Sequence, residues 1–154
     1  RRHDGVCGTP DAGSALLDKK GGATELADLK GKKVGVQSDT TGAAFGNENA
    51  EKYGYEVVTF DDSSLEFNAV KAGNIDAAIN DNGVLYDFAK ANTDTEVTAE
   101  FDTNEQYGFA GLRDDANATK LMDKLNAAIA EAKDNGEYDK IYKKWFGTLP
   151  EVKQ

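Results

Sequence analysis

Two short polar segments of the sequence have residue types suited to binding a small charged molecule. The first segment directly follows the apolar residues 34–36 and precedes a stretch with helical spacing. It consists of Gln37, Ser38, Asp39, Thr40, Thr41 and Gly42. Free backbone N–H groups and the positive end of the dipole make the start of a helix a site for an anion such as a carboxylate. The hydroxyls of Ser38, Thr40 and Thr41 could add donors, and the alternative is that Thr40 or Thr41 only caps the helix.

The second polar segment is the pair Asn80 and Asp81, which follows the apolar stretch Ile75–Ile79. A carboxylate at the end of a strand can pair with a cation. Donors for an anion beside a carboxylate for a cation match the two charges of an amino-acid zwitterion. The alternative is that Asp81 only caps the helix that follows it.

The remaining sequence offers no pattern for catalysis or for a metal site. His3 is the only histidine and Cys7 the only cysteine, which argues against a histidine-based triad, a zinc site and an internal disulfide. The acidic pairs 61–62 and 114–115 lack the spacing of a calcium loop. There is no G-x-x-x-x-G-K-[ST] phosphate loop either. We therefore predict no catalytic residue, no metal and no cofactor.

Strands that alternate with helices would carry the two polar segments. The strand patterns are Ser14–Lys20, Val34–Val36, Glu56–Phe60, Ile75–Ile79, Glu96–Phe101 and Gln106–Leu112. The helix patterns are Thr41–Tyr53, Ser63–Ala72 and Gly83–Ala91, and Ser63 and Glu66 have the spacing of a capping box. This alternation predicts an α/β fold with a doubly wound, mostly parallel sheet flanked by helices. Ligands bind at the carboxyl ends of such strands, so we expect both polar segments at one edge of the sheet.

The sequence changes character after residue 112. Two amphipathic helices are predicted there, over Asn117–Asp134 and Tyr138–Phe146. We therefore predict an irregular segment over residues 1–13, an α/β ligand-binding lobe over residues 14–112, and a helical C-terminal segment over residues 113–154.

The composition limits the classes of partner. The chain has 154 residues and a net charge of −10, and this charge argues against binding nucleic acid or anionic lipid. No apolar run approaches the roughly 20 residues of a membrane-spanning helix. The sequence begins without a signal-peptide pattern, so we expect any export signal to have been removed or never to have existed.

Several segments together resemble a known family. They are Leu29–Gln37, Thr40–Gly42, Phe60–Ser63, Lys71–Ala77, Asn80–Asp81, Gln106–Ala110 and Gly136–Gly147. In this order they resemble the second lobe of the type II periplasmic solute-binding proteins that serve ABC importers of polar amino acids. The resemblance extends from Asp11 to Gly147, and the family's first lobe is not matched.

The resemblance implies a role for each matching residue. Thr40 and Thr41 would meet the carboxylate of a polar amino acid, Asp81 would pair with its ammonium group, and Gln37 would lie near its side chain. The strands Ser14–Lys20 and Gln106–Leu112 would belong to a hinge. A periplasmic or extracellular location in a bacterium and an ABC transporter permease as partner are implied as well.

Departures from the family pattern modify these expectations. Asp39 stands where the family commonly has Gly, and its carboxylate would oppose a bound anion if it pointed inward. Gly83 stands where the family commonly has Pro. Without the first lobe we expect a truncated lobe with weak or lost ligand affinity, and a homodimer formed through exposed C-terminal helices.

Two other functions remain open. Some relatives of this fold are cyclohexadienyl or arogenate dehydratases, and Asp39 or Asp81 would be the candidate acid for such an enzyme. Sensor-type ligand-binding modules share the lobe too. No sequence feature demands either function, so we predict that the protein is not an enzyme.

Overall fold

The computed structural model describes residues 7–112 and 114–149. Its strands are β1 Cys7–Lys19, β2 Lys33–Gln37, β3 Glu56–Phe60, β4 Ala77–Asp81 and β5 Thr95–Phe109. Its helices are α1 Thr41–Tyr53, α2 Ser63–Ala72, α3 Asn82–Ala91, α4 Ala116–Asp134 and α5 Glu137–Phe146, and a short 3-10 helix covers Leu26–Leu29. Among the helices described, none combines the length and the apolar character that a membrane span requires.

The five strands form one sheet in the order β3-β2-β4-β1-β5. β2 pairs in parallel with both β3 and β4, whereas β1 pairs antiparallel with β4. The chain passes from β2 to β3 on one side and then to β4 on the other, so the connections reverse direction at β2. Ligand sites of open α/β sheets lie at such a reversal. The predicted α/β class with flanking helices is confirmed.

Side chains that alternate along the strands build an apolar core on each face of the sheet. One core joins Leu16, Val36 and Ile79 to α1 and the 3-10 helix. The other joins Ala15 and Ala78 to α2 and α3. Because α1 and α2 pack on opposite faces, the sheet is covered on both sides and its central strands are buried.

The boundaries of α1, β3 and α2 agree with the sequence patterns. Both helices end at a glycine in the left-handed region, with φ of 75° at Gly54 and 78° at Gly73. A residue with a Cβ adopts this conformation at a cost, so glycine at this position ends a helix cleanly. Glycine after an apolar helical pattern was therefore a reliable signal here.

The N-terminus of α2 differs from the prediction. Asp62, not Ser63, is the N-cap: its Oδ1 accepts hydrogen bonds from Ser64 N at 2.8 Å and Leu65 N at 3.4 Å. The predicted capping box is therefore wrong, and Glu66 is buried beneath the helix instead. An aspartate at this position satisfies two free N–H groups, which leaves no need for a second capping side chain.

Strand boundaries also move where tertiary pairing decides them. β4 begins at Ala77 because the N–H groups of Asn74 and Ile75 close the end of α2 through Ala69 O. β5 is continuous over residues 95–109, where two strands were predicted. β1 begins at Cys7 rather than Ser14, so the segment predicted as irregular over residues 1–13 is a strand from Cys7 onward.

Internal contacts divide the chain into two compact units, Gly13–Asn104 and Glu105–Gln154 with Arg1–Ala12. Both polar segments belong to the first unit. In the second, α4 and α5 pack against each other, and Tyr142 is buried with its ring 4.6 Å from that of Phe146. The predicted division at residues 13 and 112 stays a prediction.

Candidate ligand-binding site

The turn between β2 and α1 is built by Thr40. Its Oγ1 donates a hydrogen bond to Gln37 O at 2.8 Å and accepts one from Ala43 N at 3.0 Å. Ser38 N continues the sheet by donating to Phe60 O at 2.8 Å. The hydroxyl proton of Thr40 is therefore already used, and the capping alternative holds for this residue.

Thr41 and Gly42 open α1 and provide donors. In the described part of the chain, no acceptor pairs with the N–H group of either residue, as is usual for the first turn of a helix. Thr41 is exposed, so its hydroxyl adds an accessible donor, whereas Gly42 is buried. An anion at this turn would also lie at the positive end of the α1 dipole.

The first turn of α1 lies directly against the end of β4. A Cβ placed on Gly42 would come 3.1 Å from Ile79 O and 3.3 Å from Asn80 Cα. A Cβ at these distances from backbone atoms would be crowded, so glycine favours this close approach of helix to strand. The donors of α1 and the carboxyl end of β4 therefore meet at one edge of the sheet, as the two polar segments predicted.

Asp81 is half-buried at this edge and begins α3 without a side-chain capping hydrogen bond. The first turn of α3 is instead supported by Asn82, whose Oδ1 accepts from Gly83 N at 2.8 Å. Strand alternation places Asp81 on the same face of the sheet as Ile79, which is the α1 face. The capping alternative for Asp81 is therefore not what the structure shows.

Gln37 and Asn80 lie on the opposite face, toward α2. The Nδ2 atom of Asn80 is 3.5 Å from Oε1 of Gln37 and 2.8 Å from Oε2 of Glu66. Asn80 Oδ1 accepts from Asp81 N at 2.8 Å. The candidate residues therefore lie on both faces of the sheet at this edge. Asn80 connects Gln37 to the buried Glu66 through its hydrogen bonds.

Glu66 was missed by the sequence analysis as a residue of this region. It is fully buried, and burial raises the pKa of its carboxyl from 4.5 to about 8, although the hydrogen bond from Asn80 acts in the lowering direction. One signal could have found it: Glu66 shares the inward helical stripe of Phe67, Ala69 and Val70. A charged residue type within an apolar stripe indicates a buried polar contact.

Asp39 occupies the centre of the turn. It is exposed and has a φ of 58°, in the left-handed region that favours glycine. Glycine at this position would remove both the backbone strain and a carboxylate beside the donors of α1.

Comparison with known proteins decides the family. Residues 23–148 match the profile of the bacterial extracellular solute-binding proteins, family 3. The chain belongs to this family. The predicted kinship with solute-binding proteins is confirmed.

Curated members of the family are similar over most of this chain. The ABC transporter glutamine-binding protein GlnH of Bacillus subtilis is 34% identical over 142 residues, which cover 91% of this chain and 50% of that protein. The ABC transporter arginine-binding protein 1 of Escherichia coli is 33% identical over 86% of this chain and 55% of that protein. This chain thus spans about half the length of the curated relatives it matches.

Solved structures give the same result for the fold. Substrate binding domain 2 of Lactococcus lactis GlnP, in an open conformation, superposes with a TM-score of 0.76 at 27% identity, covering 95% of this chain and 63% of that chain. An ancestral arginine-binding protein bound to arginine gives a TM-score of 0.66 at 37% identity, covering 92% and 64% respectively.

Proposed function

We propose that this family 3 chain binds the charged head of a polar amino acid as the solute-binding component of an ABC importer. The observation that carries the proposal is the close approach of Gly42 to the end of β4, where a Cβ on this glycine would lie 3.1 Å from Ile79 O. It brings the N–H donors of α1 and the carboxylate of Asp81 to one edge of the sheet. The two groups have the charges that a zwitterion requires.

Each residue then has a separate task. The N–H groups of Thr41 and Gly42 and the Thr41 hydroxyl bind the ligand carboxylate, and Asp81 pairs with the ammonium group. Thr40 shapes the turn and does not contact the ligand through its proton. Gln37, Ser38 and Asn80 border the ligand.

The family supports the location and the partner that we propose. Its members are bacterial extracellular proteins by description, and relatives are named as ABC transporter proteins. We place this protein in the periplasm or outside the cell, where it delivers its amino acid to a permease. Its net charge of −10 opposes binding to nucleic acid.

We expect this stretch alone to bind its ligand weakly. The unit that carries the site, Gly13–Asn104, contains no arginine, so no guanidinium group of this unit can pair with the ligand carboxylate. One absent charged contact costs about 2–5 kcal/mol, or roughly thirtyfold to several thousandfold in affinity. A dissociation constant above the micromolar range is therefore expected.

The experiment is a titration of the labelled protein with L-glutamine, L-glutamate, L-arginine and L-histidine, followed by NMR and calorimetry. We expect weak binding with shifts concentrated at Thr41, Gly42 and Asp81. Asp81→Asn should weaken binding by about tenfold to a hundredfold, the value of a charge-assisted hydrogen bond. Glu48→Gln, which removes an exposed acid on α1, is the matched control and should change nothing.

Two results would contradict the proposal. If none of the four amino acids shifts the resonances of Thr41 or Asp81, this edge is not an amino-acid site. Sub-micromolar binding by a monomer would contradict the expected weakness. The curated relatives are named as binding proteins, and no observation on the described residues favours the dehydratase or the sensor.

The C-terminal helices carry a separate proposal, a homodimer. Leu121 of α4 and Ile141 and Trp145 of α5 are between 49% and 59% exposed. Burying such side chains in a shared interface releases apolar surface from water. The amphipathic stripe that predicted both helices is therefore the surface that we propose for the dimer.

A further inference from the structure

A chain of side-chain hydrogen bonds runs from beneath α2 to the carboxyl edge of the sheet. It begins at Glu66, passes through Asn80 at 2.8 Å and reaches Gln37 at 3.5 Å. Glu66 and Asn80 are 0% and 4% exposed, and Gln37 is half-buried. Gly35 lies beneath Glu66: a Cβ there would come 2.6 Å from Cδ1 of Ile75 and 3.0 Å from Cγ of Glu66.

The backbone decides the orientation of the Asn80 amide group. A backbone N–H can only donate, so the atom that faces Asp81 N at 2.8 Å is the carbonyl Oδ1. The NH2 group of Asn80 therefore faces Glu66 and Gln37. Both of these must offer oxygen atoms to it, which turns the carbonyl oxygen of Gln37 toward Asn80 and its NH2 group away.

The NH2 group of Gln37 is then left for another acceptor. Within residues 7–112 and 114–149, no acceptor pairs with its Nε2 atom. Gln37 ends β2 at the edge where the proposed ligand lies. Gln37 itself thus offers a donor, its NH2 group, on the side turned away from Asn80.

The buried position of Glu66 carries a cost in folding stability. One of its oxygens, Oε1, is buried without a hydrogen-bond partner in the described part of the chain, and an unsatisfied buried polar atom is unfavourable. An apolar side chain would fill the same space under α2 without that cost. The contribution that distinguishes Glu66 from such a side chain is the acceptor it gives to Asn80.

We propose that Glu66 is a positioning residue, which acts through Asn80 to hold the Gln37 amide with its NH2 group toward the ligand, so that the site selects an amino acid whose side chain carries an oxygen acceptor. The ligand class is an amino acid with a side-chain amide or carboxylate. Side chains ending in guanidinium or ammonium only donate, and they leave the Gln37 donor unpaired. The inference about the ligand rests on the proposed amino-acid site; the inference about Glu66 does not.

The first experiment tests the positioning without any ligand. Glu66→Leu and Glu66→Met remove the acceptor at similar volume, and Glu66→Gln keeps an acceptor oxygen. Val70→Ala is the matched control, because Val70 is a fully buried residue of the same helix that packs in the apolar core. The readout is the side-chain amide resonances of Gln37 and Asn80 in 1H-15N spectra, and two acceptor-free variants guard against one that does not fold.

We expect the acceptor-free variants to shift the side-chain amide resonances of both residues, whereas Glu66→Gln restores the wild-type positions. Val70→Ala should leave them unchanged, although it weakens the core. Wild-type amide resonances in Glu66→Leu or Glu66→Met would overturn the positioning role. The same shifts in Val70→Ala would overturn it too, since loosened packing would then explain them.

The second experiment tests the ligand class by titrating L-glutamine, L-norleucine and L-arginine. One neutral hydrogen bond corresponds to a preference for glutamine over norleucine of about two- to tenfold. That ratio should fall toward one in Glu66→Leu and persist in Glu66→Gln. A wild-type protein that binds norleucine or arginine as tightly as glutamine would overturn the ligand class. If none of the three binds, the proposed function fails, while the amide resonances still decide the role of Glu66.

Discussion

Asp39 carries two unfavourable features at the turn before α1. Its backbone lies in the left-handed region with a φ of 58°, and its carboxylate is exposed beside the proposed anion site. The conformation and the charge can be separated by substitution, because asparagine tolerates the left-handed region and carries no charge.

Asp39→Gly is expected to stabilise the protein by about 0.5–1 kcal/mol, because glycine relieves the left-handed strain. Asp39→Asn should leave stability near the wild-type value. Both should strengthen amino-acid binding by about two- to fivefold, because the repulsion of the ligand carboxylate is lost. Denaturant unfolding and ligand titration measure the two effects, and unchanged affinity in Asp39→Asn would place the charge too far from the ligand to matter.

Glu66 makes stability depend on pH. Burial raises its pKa from 4.5 to about 8, so the folded protein holds a proton that the unfolded chain has released between these values. The strands against α2 carry Lys33, Glu56 and Asp81 as their charged residues, and none of these is a cause of the shift. The protonated Glu66 therefore contributes its full stability to the folded protein below about pH 4.5, and this contribution is lost as the pH rises through 8.

Glu66→Gln should therefore match the wild type near pH 4.5 and exceed its stability at alkaline pH. The difference should grow by about 1.4 kcal/mol per pH unit between the two pKa values, reaching a few kcal/mol. Urea unfolding of both proteins across this range measures it. A difference that is constant with pH would show that Glu66 is ionised in the folded protein throughout.

At the scale of elements, substitutions at the start of α2 can show whether Asp62 or Ser63 caps this helix. Asp62→Ala should destabilise the protein by about 0.5–2 kcal/mol, because the N–H groups of Ser64 and Leu65 lose their acceptor. Ser63→Ala is the matched control, with an expected change of less than about 0.5 kcal/mol. Thermal unfolding compares the two, and an equal loss in Ser63→Ala would restore the capping box that the sequence suggested.

Elements whose start and end signals are local were predicted well. Thr41–Tyr53 and Glu56–Phe60 have the same bounds in sequence and structure, because apolar periodicity and a terminal glycine act within the element itself. β1, β4 and β5 were displaced or merged. Their bounds depend on partners far away in the chain, which no local pattern contains.

At the scale of the whole molecule, the exposed side chains of α4 and α5 predict self-association. Ile141→Ser with Trp145→Ser should shift the protein toward monomer at concentrations where the wild type is dimeric, because apolar interface area is lost. Leu65→Ser, which removes a 62% exposed apolar side chain from α2, is the control. Light scattering over a concentration series provides the measurement, and a monomeric wild type at high concentration would contradict the dimer.

The sequence alone determined the α/β class, the family, and the two polar segments at the ends of β2 and β4. Each of these follows from patterns that are short-range or additive along the chain: alternation of elements, ordered motifs, and polar residues after apolar strands. Which side chains at that edge already act as caps or lie buried is a different kind of question.

Only the tertiary structure decided that Thr40 is consumed as a cap, that Asp81 does not cap α3, and that Glu66 is buried against Asn80. The physical reason is that hydrogen bonds and burial are pairwise properties of residues brought together by folding. Glu66 and Asn80 are fourteen positions apart, and the residues next to each of them in the sequence do not predict that the two side chains come into contact. The strand order that places β4 beside β2 makes that contact, and with it the orientation of the site.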